Sequence, residues 1–472
     1  MKAKKILING KWLSGKESFT VKSPFTCETI SEVAMASRVQ MEEVIGAAEN
    51  AAVEMHHAPR YAIADGLRKI AAGIESRKEE FARTIAEESA KPITLARGEV
   101  ERGIATFAWA AGEAERFCGE VVPIDTIATG NGKNGYTKRV PRGVIYGITP
   151  FNFPLNLVGH KVAPALASGN SIIVKPSQRT PLTALLLGEV FTESGLPNAA
   201  LQIVPMDVAN MDLIYSDERI KMISFTGSAE VGWDLKIKAG KKAVSLELGG
   251  NAPVIVDESA DVQRSLERTT MGAFSYSGQI CISVQRVYVH EKIFDEWTEK
   301  FVDRAVNLKT GNPLEEATEL SVMIDEKAAE KAGKWVDEAV RNDAKLLCGG
   351  APDRAMLPAT VLTGTDSEMR VVSEEIFAPV AVVEKFGDFA QAVELSNQTK
   401  YGLQAGVFTN DFRNANYASD NLEYGGVIIN DVPTFRVDNM PYGGVKDSGF
   451  GREGVRYAME EMSENRLIVV HF

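Results

Sequence analysis

The stretch Gly143-Val144-Ile145-Tyr146-Gly147-Ile148-Thr149, followed by Ser171-Ile172-Ile173-Val174-Lys175-Pro176-Ser177, decides the fold. Each is a short apolar run rich in β-branched residues, and a helical pattern over 156–166 lies between them. Strand, helix, strand in that order is the unit of a parallel sheet covered on both faces. The alternation continues outward. A helix is expected over 180–194, with Pro181 near its start and Gly195 just past its end, then strands over 201–204 and 222–225 and a helix over 231–239. After Asn251 a second run begins: strand 253–256, helix 262–275, strand 284–290, helix 293–307. Helix 328–342 and strands 345–348, 380–385, 405–409 and 426–430 follow. Upstream, apolar residues at helical spacing predict helices from Met41 and over 63–74, 81–88 and 100–118, after which 121–138 turns extended. Asn9-Gly10, between 4–8 and 11–13, predicts a surface hairpin with a type I′ turn, and its apolar run is too short for a signal peptide.

A chain of 472 residues is too long for one core, so two or more domains are expected. The hydrophobic fraction of 44% and charged fraction of 25% are those of an ordinary globular protein. A net charge of −12 argues against nucleic acid or an anionic membrane as partner, and no stretch is apolar enough to span a bilayer. The 4 cysteines are widely spaced and the 5 histidines lack zinc-ligand spacing, so neither a disulfide frame nor a metal site is expected and a cytoplasmic, reducing location fits.

The chemistry centres on Cys281, which closes Phe274-Ser275-Tyr276-Ser277-Gly278-Gln279-Ile280-Cys281, and on Glu247, in Leu246-Glu247-Leu248-Gly249-Gly250-Asn251. Together they supply a thiol nucleophile and a carboxylate able to activate water. Singly, such a cysteine more often packs a core and such a glutamate can simply open a turn; their joint occurrence favours catalysis. Ser224-Phe225-Thr226-Gly227-Ser228-Ala229-Glu230-Val231-Gly232 ends a strand and opens a helix, which turns backbone N–H groups toward a phosphate. The motif is not GxGxxG, and glycine is common in any such turn. Lys175 ends another strand, where ligands of open α/β sheets sit, although a lone lysine there is more often a solvated loop residue.

These segments appear in order with Thr149-Pro150-Phe151-Asn152-Phe153-Pro154, Glu374-Glu375-Ile376-Phe377-Ala378-Pro379 and Pro441-Tyr442-Gly443-Gly444-Val445-Lys446-Asp447-Ser448-Gly449. Together they resemble the aldehyde dehydrogenase superfamily over essentially the whole chain. The Phe435-Arg436-Val437-Asp438-Asn439-Met440-Pro441 and Gly451-Arg452-Glu453-Gly454 segments are most similar to its lactaldehyde dehydrogenase branch. The resemblance implies a Rossmann-type cofactor domain over 1–120 and 143–250, an α/β catalytic domain over 251–445, and a β oligomerisation arm over 121–142 and 446–472. It implies attack on an aldehyde by Cys281, an oxyanion held by the Asn152 amide and the Cys281 N–H, a thioester after hydride transfer, and hydrolysis through Glu247. Glu375 would bond the nicotinamide ribose with Phe377 packed nearby, Gly227 and Ser228 would approach the pyrophosphate, Lys175 would bond ribose or phosphate, Gln178 would stand at the adenosine ribose, and Thr226 and Ser177 would also bind the cofactor. Taken alone, Asn152 before Pro154 reads as a turn residue, and Glu375 beside Glu374 as a solvated acidic pair.

Many NAD-dependent relatives carry glutamate where this chain has Gln178, followed by Arg179. The change removes a charge that would repel a 2′-phosphate, so NAD or NADP is expected. Two rival readings are a CoA-acylating enzyme, whose type lacks a carboxylate at the position of Glu247, and a catalytically silent structural member. The substrate is expected to be a small hydroxy- or anionic aldehyde: lactaldehyde, a phosphorylated or sulfonated three-carbon aldehyde, or a semialdehyde. Arg436 is the candidate anion-binding residue, its bland alternative being a surface loop salt bridge. The apolar segments 121–138 and 466–472 predict a homodimer or homotetramer.

Overall fold

The computed structural model describes residues 3–471. Two large sheets carry the fold. The first runs, from edge to edge, Gly449–Phe450, Ala243–Glu247, Ile220–Thr226, Val144–Ile148, Ser171–Lys175, Leu201–Ile203, Ile6–Ile8 and Lys11–Leu13. Its inner five strands are parallel, and the outer three are antiparallel to their neighbours. The second runs Lys345–Cys348, Thr360–Thr363, Val380–Phe386, Val284–His290, Ala252–Val256, Gln404–Phe408 and Gly426–Ile429. All but its first pair are parallel. A third sheet pairs Ser463–His471 with Lys133–Pro141, and that strand with Val121–Val122.

The parallel strands form because their residues are apolar on both faces: every residue of Ser171–Lys175, Leu201–Ile203 and Ala252–Val256 is buried. The first helix, Arg38–His57, covers one face of the first sheet with the predicted stripe of Met41, Val44, Ile45 and Ala48. A reciprocal Ser37–Gln40 capping box starts it. Helix Leu182–Phe191 is capped from afar, since the Glu88 carboxylate accepts from the Leu182 N–H at 2.7 Å and the Thr183 N–H at 3.0 Å.

One expectation is corrected. The Asn9-Gly10 turn has the left-handed φ values of 49° and 70° that a type I′ turn needs, but the hairpin is not a surface feature. Ile6, Leu7 and Ile8 are fully buried, because Leu7 pairs with Ile203 and extends the first sheet. The extended tail pairs antiparallel with 133–141 of the same chain; Phe472 lies outside the described residues. Among the described residues no helix is long and apolar enough to cross a membrane.

Candidate active site

Cys281 follows a backbone that few sequences tolerate. Tyr276 (φ 50°), Ser277 (φ 54°) and Gly278 (φ 65°) are three consecutive left-handed residues. Two of them are not glycine, at a cost on the order of 1–3 kcal/mol each. The surroundings hold them: the Tyr276 hydroxyl donates to Ser89 O at 3.2 Å, and the Ser277 hydroxyl to Ser321 O at 2.7 Å. The Gln279 amide oxygen accepts from Ile324 N–H at 2.9 Å. A side chain at 278 would run into the Ala378 carbonyl, its Cβ only 2.1 Å away. The thiol is therefore presented by a loop with one conformation available to it.

The Asn152 amide nitrogen donates to Gln279 O at 2.9 Å, two residues before the cysteine. Its oxygen is buried without a partner, and among the described residues the Cys281 N–H has no acceptor. Asn152 is thus a buried residue of the site and not a solvated turn. Both oxygens of Glu247 are buried and unpartnered as well. Burial, then the charge of Glu453, raises the Glu247 carboxyl well above the ordinary carboxylate range. Glu453 itself accepts from Lys161 Nζ at 3.2 Å and Arg436 Nη2 at 3.2 Å, and these cations hold it ionised at about 2. The two glutamates are therefore pushed in opposite directions, Glu247 up and Glu453 down. Burial pushes the Cys281 thiol up to about 12, with the Tyr442 hydroxyl and Arg436 acting in the opposite direction.

The pair Gly249-Gly250 explains how Glu375 comes to the same place. A Cβ at 249 would lie 2.1 Å from Glu375 Oε2, and one at 250 would lie 2.4 Å from the Cys281 carbonyl. Glu375 is not part of a solvated pair: its carboxylate accepts from the Gly250 N–H at 3.1 Å, and burial raises it to about 7. Phe377 sits edge-on to Phe151, ring centroids 6.0 Å apart. Beside Glu375 runs a groove that includes Ser228, Lys331, Trp335, Arg370 and Lys400. Ser228 caps helix Ala229–Lys238 without spending its hydroxyl, and Thr226 Oγ1 is buried without a partner. A helix N-terminus, free hydroxyls and three cations suit a dinucleotide diphosphate, so the residues present fit the cofactor.

The adenosine-side residues differ from expectation. Lys175 is not a solvated loop lysine but the last residue of its strand, 9% exposed, and burial lowers its ammonium. Arg179 is held by Asp325 at 2.5 Å, and Asp325 caps the helix Glu326–Arg341. Gln178 is left facing Met35 Sδ at 3.6 Å.

Arg436 is not a surface residue: its side chain is 5% exposed and its guanidinium carbon lies 3.7 Å from the Tyr442 ring centroid. It lines a cavity of about 290 Å³ together with Cys281, Tyr442, Arg102, Phe153 and Asn156. Tyr442, Arg102, Lys161 and Glu453 are site residues that sequence reasoning missed. Arg102 donates to Asp438 at 2.8 Å, and Asp438 also meets His160 Nε2 at 2.7 Å. Lys91, paired with Glu99 and 3.6 Å from the Phe153 centroid, closes the inner wall. Among the described residues no group of three or more His, Cys, Asp or Glu side chains is placed to hold a metal ion.

Comparison with known proteins matches this arrangement. The profile of the aldehyde dehydrogenase family matches residues 12–468. The 3-sulfolactaldehyde dehydrogenase of Priestia aryabhattai is 40% identical over 469 residues, 99% of this chain and 98% of that one. Aldehyde dehydrogenase 21 of Physcomitrella patens, solved with the reaction product succinate, shares 44% identity and a TM-score of 0.98, covering 100% of this chain and 99% of that one. The glyceraldehyde-3-phosphate dehydrogenase of Methanocaldococcus jannaschii, complexed with NADP, shares 39% identity and a TM-score of 0.93, covering 97% and 100%. With a match running through both sheets and every segment gathered around Cys281, the chain belongs to the aldehyde dehydrogenase family and is an NAD(P)-dependent enzyme that oxidises aldehydes to acids.

Proposed function

We propose that the substrate is a small aldehyde with an anionic group, and that Cys281, Asn152 and Glu247 carry the chemistry. The observation that supports this most directly is the cavity over the thiol: two arginines, Arg102 and Arg436, share its lining with Cys281. Guanidinium groups in the wall of a cavity that opens on a nucleophile suit a carboxylate, sulfonate or phosphate of a three- or four-carbon aldehyde. The relatives agree in kind: one is named for 3-sulfolactaldehyde, and another was solved with succinate. A neutral hydroxyaldehyde such as lactaldehyde would use the same donors less fully.

The Cys281 thiolate adds to the carbonyl carbon, and the Cys281 N–H and the remaining Asn152 N–H hold the oxyanion. When bound, NAD(P) supplies the hydride acceptor. Collapse of the oxyanion leaves a thioester on Cys281. The Glu247 carboxylate, made more basic by its burial, takes a proton from the water that attacks the thioester, and Cys281 leaves as thiolate. Glu375, Thr226, Gly227, Ser228, Lys175, Ser177 and Gln178 hold the cofactor, with Phe377 packed beside it. Gln178 puts no carboxylate against a 2′-phosphate and Arg179 is already engaged by Asp325, so NAD and NADP are both accepted.

The assembly is a homodimer or homotetramer in a reducing, cytoplasmic setting. Val121 is 86% exposed, at an edge strand of the third sheet, and a second copy would cover it. NAD(P)H formation from succinic semialdehyde, 3-sulfolactaldehyde, lactaldehyde and butanal, with and without CoA, tests the reading. Faster turnover of butanal than of every anionic aldehyde would overturn the substrate class, and strict dependence on CoA would overturn hydrolysis.

A further inference from the structure

We propose that Tyr442 is a positioning residue whose hydroxyl holds the Cys281 thiolate, and that Arg436 acts on the thiolate through the Tyr442 ring. This rests on Cys281 being the nucleophile. The Tyr442 oxygen lies 3.0 Å from Cys281 Sγ, and among the described residues it has no other partner. The ring is buried and fixed from two directions. Its backbone bridges Glu453, with the Tyr442 N–H donating to Glu453 O at 3.0 Å and the Glu453 N–H donating back at 2.7 Å. The Arg436 guanidinium lies over its face, itself tied to the Glu453 carboxylate at 3.2 Å. A cation over the ring draws electron density from the phenol and strengthens its O–H as a donor.

The protonation states assign the direction of the bond. In the thiol form either partner can donate. When the S–H bond breaks, both electrons stay on sulfur and the proton leaves to water, so sulfur can only accept. Tyr442 must then donate, and burial keeps its own proton firmly attached. Burial opposes the thiolate most; the Tyr442 hydrogen bond and the Arg436 charge favour it, and the Glu375 and Glu247 carboxyls oppose it when ionised. Burial keeps the sulfur mostly as the thiol even with Tyr442 in place, and without Tyr442 the thiolate population would be smaller still. The bond weakens as charge moves from sulfur to the carbonyl oxygen, so Tyr442 stabilises the waiting nucleophile and not the transition state. Removing it should cut the thiolate population while leaving each remaining thiolate at least as nucleophilic.

The test is the rate of iodoacetamide alkylation at Cys281, assigned by mass spectrometry, from neutral to moderately alkaline pH, below the thiol's titration, where the rate follows the thiolate population. A charge-assisted hydrogen bond is worth about one to two decades of that population, about half of it offset by the higher nucleophilicity of the more basic thiolate. Tyr442→Phe should slow alkylation by about three- to tenfold across the range. 3-Fluorotyrosine at 442, a stronger donor of nearly the same shape, should speed it, a change that packing alone would not produce, and it decides the matter if the phenylalanine variant does not fold. A rate that does not fall with phenylalanine in a folded variant, or does not rise with 3-fluorotyrosine, would overturn the proposal and leave Tyr442 as packing. Alkylation is read without an aldehyde. Failure of the nucleophile assignment would show separately, as dehydrogenase activity surviving complete modification of Cys281.

Discussion

Replacing Arg102 by methionine should separate anionic from neutral substrates. Arg102 lines the cavity with Cys281, and its side chain is 29% exposed. Its guanidinium already donates to Asp438 at 2.8 Å. Methionine keeps the aliphatic stem and removes only the charge. Asp438 retains His160 at 2.7 Å and Asn156 at 3.4 Å, so its carboxylate is not left bare and the fold should hold. A hydrogen bond to a charged group is worth about 1.5–3 kcal/mol. Because Arg102 is part-solvated and shared with Asp438, the lower end applies, which corresponds to a loss of about tenfold. The assay is kcat/KM for succinic semialdehyde against butanal. The expected result is about a tenfold loss on the first and less than about threefold on the second. Equal losses would mean that Arg102 only shapes the wall, and the anion site would have to lie elsewhere. Arg436 cannot give so clean a contrast. It is buried against Tyr442 and paired with Glu453, so its removal should depress butanal turnover as well.

Gly249→Ala should drive Glu375 from its seat, because the new Cβ would come 2.1 Å from Glu375 Oε2; the KM for NAD(P) should rise about tenfold or more while Cys281 alkylation is unchanged, and an unchanged KM would free Glu375 from any role at the cofactor. Glu453→Gln removes the like charge that raises Glu247, so the Glu247 carboxyl should ionise at lower pH and the acid limb of steady-state turnover should shift down; a shift upward would reverse the assigned coupling. Gln178→Glu should raise the KM for NADP far more than that for NAD, and equal changes would place Gln178 away from the ribose.

The sequence announced its buried strands because a parallel strand covered on both faces has no choice but to be apolar, as Ser171–Lys175 and Ala252–Val256 are. The hairpin of Glu17–Lys22 and Thr29–Met35 escaped reading because its first strand is mostly exposed and polar, and the second buries only Ser31, Val33 and Ala34, too few to impose an alternation. Strand Ala243–Glu247 was hidden by its position between Lys241-Lys242 and the glycine pair. Cys281, Glu247, Asn152 and Glu375 stand in local motifs and could be named. Arg102 and Lys161 stand in none, since Arg102 meets Asp438 across 336 positions and Lys161 meets Glu453 across 292, while Tyr442 and Glu453 stand in quoted motifs whose spacing gives them no role. One signal was available. His160 and Lys161 interrupt a helix whose every residue is buried, and a buried ammonium demands a partner. The corrected hairpin teaches the same lesson: Asn9-Gly10 fixes a turn, but only the distant Ile203 decides that its strand lies inside.

The central claim is that Cys281 carries the acyl group and Glu247 releases it. Glu247→Gln, mixed rapidly with succinic semialdehyde and NAD(P), tests this directly. The account predicts one burst of NAD(P)H equal to the number of sites, slow turnover afterwards, and the acyl mass found on the Cys281 peptide. A variant that turns over at the wild-type rate, or an acyl group found on any other residue, would contradict it.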